Sequence, residues 1–126
     1  MLSSEALRVI EYMKESKELR KTKTVEEMRE RQKKNRIIAL PEDAVKEIYT
    51  VGPVEVEKIS LPSSDPESAF VYIHGGGFRN GFASNGYWIS TEIARITGQT
   101  VYAMNYRLAP EFTYPTATDD LSLIHI

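Results

Sequence analysis

Ala69-Phe70-Val71-Tyr72-Ile73 runs straight into His74-Gly75-Gly76-Gly77-Phe78. The first five residues are apolar, β-branched or aromatic and read as a buried strand, with the glycines as a sharp exit from its C-terminal end. Three consecutive glycines are entropically costly to order, so the chain needs dihedrals or a close approach there that a Cβ would forbid. Successive glycine N–H groups can turn inward together as a concave, partly positive pocket. Such a pocket suits a phosphate or the oxyanion of an acyl-transfer intermediate. A glycine-rich surface turn is the plainer alternative.

Downstream, residues 79–86 continue the loop, and a helix is predicted over about residues 87–97 with Gly98 as its C′ residue. Residues 100–106 read as a second buried strand. Strand, loop, helix and strand make a βαβ unit, which implies a parallel pair with ligand sites beyond the strands' carboxyl ends. Upstream, residues 54–61 read as a half-exposed strand and residues 62–68 as a loop. Gly52-Pro53 punctuates the chain, and the boundary between a helical lead-in (1–50) and an α/β region (51–120) is placed there.

In the lead-in, Ala6, Val9, Ile10 and Met13 recur at helical spacing over about residues 4–20. Thr24-Val25-Glu26-Glu27 has the capping-box form and opens a polar helix to about Lys34. That helix offers only Val25 and Met28 as an apolar face. Its Arg29-Glu30-Arg31-Gln32-Lys33-Lys34 run reads as a solvated face or linker. Ile37-Ile38-Ala39-Leu40 is a short apolar run stopped by Pro41, and residues 42–48 are expected to add a helical turn or two.

The 126 residues hold 16 Lys and Arg against 18 Asp and Glu, so no single-sign field points to nucleic acid. Lys and Arg concentrate in the first 50 residues. With no cysteine, disulfides, thiolate metal sites and a cysteine nucleophile are excluded from these residues. The two histidines, His74 and His125, have no metal-ligand spacing, and no metal or cofactor is expected. No apolar run reaches membrane-spanning length and no leader pattern opens the chain, so a cytoplasmic location is expected and oligomeric state is left open.

The glycine block is followed one βα unit later by Tyr106-Arg107-Leu108-Ala109-Pro110-Glu111 and Tyr114-Pro115-Thr116-Ala117. Together these motifs resemble the hormone-sensitive-lipase-like branch of the α/β-hydrolases, over about residues 70–120. The resemblance implies a partial α/β-hydrolase fold preceded by cap-like N-terminal helices. It also implies hydrolysis of a small-molecule carboxylic ester by a Ser-His-Asp triad. By the same resemblance the backbone N–H groups of Gly76 and Gly77 form the oxyanion hole. His74 holds the glycine loop in shape, Tyr106 packs or hydrogen-bonds beneath the site, and Phe78 and Trp88 line a pocket. Arg107 and Glu111 read as a local ion pair bracing their loop. Asn105 and Phe112 stand where the family often has Asp and His. A non-catalytic relative is the alternative, since the plant gibberellin receptors resemble this family and hold a hormone instead.

No G-x-S-x-G elbow occurs in these residues, and Ser84 sits in the wrong loop for one. None of the triad is therefore expected here. The chain is read as the N-terminal part of a longer enzyme and as inactive by itself. Residues 121–126, Leu-Ser-Leu-Ile-His-Ile, match the translation of a sequencing-adapter end and are expected to be readthrough, so His125 is not taken as a catalytic base. A P-loop would need Lys-Ser or Lys-Thr after the glycines, and neither follows.

Overall fold

A computed structural model describes residues 2–21, 24–34 and 40–123. Its centre is a four-stranded mixed sheet in the order β1-β2-β4-β3, from β1 (Val45–Val51), β2 (Val54–Ser60), β3 (Asp65–Ile73) and β4 (Gln99–Asn105). Helices α1 (Ser4–Lys21) and α2 (Val25–Lys34) precede it, α3 (Tyr87–Thr97) lies between β3 and β4, and α4 (Thr116–Ser122) follows.

The expected βαβ unit is present: β3 and β4 pair in parallel with α3 between them. Gly98 caps α3 in the left-handed region at φ 70°, its N–H donating to the Ala94 carbonyl. The rest of the sheet is antiparallel, as β2 pairs with both β1 and β4. Residues 45–51 are thus a strand, in place of the helical turns expected over 42–48. Val45, Ile48, Tyr49, Thr50 and Val51 favour strand geometry, and seven register pairs to β2 outweigh any local helical preference. Gly52-Pro53 is the turn of this hairpin, so the sheet begins before it.

β2 is also more enclosed than a half-exposed strand. Val54 and Val56 join Met104 and Tyr106 in one cluster, while Ile59 and Leu61 join Tyr87, Ala94 and Val101 in the other. As a central strand it buries Val54 and Val56 on one face and Glu57 and Ile59 on the other, while Glu55 stays exposed. β3 departs in the opposite direction. It starts at Asp65, inside the expected loop, with a register break before Ala69 that accommodates Pro66. Among the described residues it is an edge strand. Phe70, Val71 and Tyr72 are half-buried and Ile73 is exposed, because one side of the strand lacks a neighbour.

The Thr24 capping box forms as expected: the Thr24 N–H donates to the Glu27 carboxylate at 2.9 Å, and the Glu27 N–H donates to Thr24 Oγ1 at 3.2 Å. On α1 the stripe of Val9, Ile10 and Met13 is exposed. Most of the run at 37–40, along with residues 124–126 and His125, lies outside the described residues, although Leu40 packs on the core. Leu121 and Leu123 pack against the Val54–Met104 cluster. Among the described residues no helix is long and apolar enough to cross a membrane.

Candidate oxyanion site

The carboxyl ends of β3 and β4 release two loops, the glycine loop from His74 and a second from Tyr106, and these lie against one another. His74 is only 3% exposed. Its Nδ1 sits 2.9 Å from the Gly75 carbonyl, and its ring stacks on Tyr106 at 4.4 Å between centroids. Tyr106 Oη donates to the His74 carbonyl at 2.7 Å. A neutral imidazole facing a carbonyl must carry its proton on Nδ1, which leaves Nε2 the acceptor, buried and without a partner among the described residues.

Burial pushes the His74 pKa below the ordinary 6.5. The consequence is a pH dependence of known sign. The stability that neutral His74 contributes is complete above 6.5, and it is lost as pH falls from there through the folded-state value, because unfolding then takes up a proton. Urea midpoints measured from pH 8 to 5 are expected to decline over this window. His74→Gln is expected to flatten the decline.

Gly76, Gly77 and Phe78 take positive φ in succession, 136°, 61° and 59°. Gly76 is sterically obligatory, since a Cβ there would stand 1.8 Å from the Asn80 carbonyl oxygen. Phe78 is a bulky residue in the left-handed region, a strained backbone that the surrounding bonds must hold. Its carbonyl accepts from the Ala109 N–H at 2.8 Å, which ties the glycine loop to the second loop. The Gly76 carbonyl accepts from the N–H groups of Arg79 and Asn80 at 3.2 and 3.3 Å. Among the described residues neither the Gly76 nor the Gly77 N–H donates to any acceptor, and both residues are exposed. At the far end of the loop, a Cβ on Gly81 would stand 2.3 Å from His74 Nδ1.

A cavity of about 350 Å³ lies beside this loop, and Phe82, Leu108 and Phe112 supply its apolar wall, with His74 and Asn105 among its polar lining. Phe78 (56% exposed) and Trp88 (61% exposed) are not among the residues lining it. Among the described residues no three His, Asp or Glu side chains cluster as metal ligands.

The Arg107–Glu111 pair does not form. Arg107 instead grips Asp120 on α4, with Nη2–Oδ1 at 2.6 Å, and its backbone N–H donates to the same carboxylate at 2.9 Å. Glu111 pairs with Arg29 of α2 at 2.6 Å. The run 29–34 is therefore not simply a solvated face, since Arg29 and Gln32 both reach the loops. Their inward position is detectable in sequence only as helical spacing from Val25, a signal that counting apolar residues discards.

Asn105 does what an aspartate could not. Its Oδ1 accepts from the Ala83 N–H at 2.7 Å, while Nδ2 donates to Glu55 and Glu57 at 2.9 Å each. Glu57 is 2% exposed and also accepts from the Tyr87 hydroxyl, whose pKa burial and this carboxylate both raise. Lys46 completes the cluster, 3.7 Å from Glu57.

A sequence profile of the α/β-hydrolase fold matches residues 70–123, the interval holding both loops. The chain carries part of an α/β-hydrolase fold. An esterase of the bacterial hormone-sensitive lipase family superposes on this α/β-hydrolase chain with a TM-score of 0.74 at 30% identity. The match covers 82% of this chain and 35% of that one. Ethyl acetate hydrolase of Pseudomonas putida is 39% identical over 62 residues, 47% of this chain and 20% of its own length. Acetyl esterase of Salmonella paratyphi B is 36% identical over 63 residues, 50% and 20% respectively. The chain thus spans about a fifth of the length of these two enzymes and about a third of that structure.

Proposed function

We propose that this chain supplies the oxyanion-hole portion of a serine carboxylesterase or lipase, with the triad provided by sequence beyond these 126 residues. One observation carries the reading: the adjacent N–H groups of Gly76 and Gly77 have no acceptor among the described residues and stand exposed at the carboxyl end of β3. Donors left free in this way cost little reorganisation when a carbonyl oxygen becomes an alkoxide. Each such donor is worth roughly 3 kcal/mol of transition-state stabilisation. The esterase names among the relatives support the same chemistry.

The test is hydrolysis of p-nitrophenyl acetate and butyrate by the product of the complete reading frame. Turnover is expected there, and none from the purified 126-residue chain above a Gly76→Pro control. A complete product that binds an ester or a small acid without hydrolysing it would support the hormone-receptor-like alternative instead.

A further inference from the structure

We propose that Arg29 is a positioning residue for the glycine loop, coupling the seating of α2 to the direction of the Gly77 N–H. What the loop is positioned for rests on the oxyanion reading; the coupling itself rests on geometry alone. Arg29 uses all three faces of its guanidinium on the two loops. Nε donates to the Arg79 carbonyl at 2.9 Å, Nη2 to the Ala109 carbonyl at 2.7 Å, and Nη1 to the Glu111 carboxylate at 2.6 Å. One turn further along the same face, Gln32 Oε1 accepts from the Gly81 N–H at 3.1 Å.

Two short paths lead from this fork to the glycines. Arg29 holds the Arg79 carbonyl, and the Arg79 N–H donates to the Gly76 carbonyl. The Gly76 carbonyl and the Gly77 N–H belong to one planar trans peptide, so fixing the oxygen on one side fixes the N–H on the other. In the second path Arg29 holds the Ala109 carbonyl while the Ala109 N–H donates to Phe78, the strained residue next along. The apolar hold on α2 is slight, with Val25 its single buried residue. Polar contacts to the loops therefore do much of the seating. A lysine could meet Glu111 or a carbonyl but cannot span three acceptors in one plane.

Position-resolved hydrogen exchange on the 126-residue chain tests the coupling. In Arg29→Lys and Arg29→Ala, exchange at the Arg79, Asn80, Gly81 and Ala109 amides is expected to rise roughly tenfold, with β2 and β4 amides unchanged. Glu111→Gln, which keeps both carbonyl bonds, is expected to change those amides by less than about twofold. Unchanged loop exchange, or a uniform rise that includes β2 and β4, would overturn the coupling and leave the oxyanion reading standing. In the complete hydrolase, Arg29→Lys is expected to lower kcat about tenfold with KM within about twofold. Unaltered kcat would overturn the positioning role. Should the unmutated complete protein hydrolyse no ester, the oxyanion reading fails while the exchange experiment still decides the coupling.

Discussion

Gly76→Ala is expected to reduce ester hydrolysis by the complete protein by roughly 10² to 10³-fold, the loss typical of removing an oxyanion donor. The added methyl would lie 1.8 Å from the Asn80 carbonyl oxygen, 2.6 Å from its carbon and 2.5 Å from the Asn80 amide oxygen. Two of these three atoms are backbone, so the loop rather than a side chain must move, and the Gly76–Gly77 peptide moves with it. Gly77 is the informative contrast. It also has positive φ, but nothing lies within 4 Å of the point where its Cβ would stand, and alanine keeps the N–H. Gly77→Ala should cost only the left-handed strain of about 1 kcal/mol and less than about tenfold in kcat. Gly77→Pro removes the donor and also forces φ from +61° toward about −65°, so its loss should equal or exceed that of Gly76→Ala. Steady-state kinetics on the three variants check this. Equal activity in Gly77→Ala and Gly77→Pro would show that the backbone donor does no chemistry.

Asp120→Ala is expected to cost the fold about 3 kcal/mol, the lower end for breaking a buried ion pair, because Arg107 keeps some access to water. Asp120 is 1% exposed and accepts both the side chain and the backbone N–H of Arg107, which pins the second loop to α4. The Arg107 side chain beside it holds the Asp120 carboxyl below its ordinary 3.8, with the backbone N–H adding to the effect. A depressed carboxyl stabilises the fold fully above that unfolded value, and the contribution is lost as pH falls through the folded one. Acid unfolding below about pH 4 should therefore be blunted in Asp120→Asn, whose neutral side chain has no charge to lose. Denaturant midpoints at pH 7 and a titration from pH 5 to 2 check both statements. An Asp120→Asn acid limb identical to that of the unmutated chain would assign the acid sensitivity elsewhere.

Whatever depends on a few neighbouring residues was legible in the sequence. The glycine loop after a strand, the α3 helix with its Gly98 cap and the Thr24–Glu27 capping box rest on local dihedral preference and short-range hydrogen bonds. These act the same way wherever the segment ends up. The place of His74 at a strand end was also readable, whereas the Gly75 carbonyl and Tyr106 ring beside it belong to the fold.

Tertiary structure decided what the local signals leave degenerate. Residues 45–51 carry strand-favouring Val, Ile, Tyr and Thr beside helix-tolerant Lys and Glu, and pairing with β2 decides between the two. A charged side chain carries no label for its counterpart: Glu111 lies four residues from Arg107, yet helix geometry brings Arg29 to it, and Asp120 claims Arg107. The inward face of α2 reads Val25, Met28, Arg29 and Gln32, helical spacing written partly in polar residues. Its acceptors are carbonyls some 50 to 80 residues away in the chain, which only the folded backbone brings within hydrogen-bonding distance.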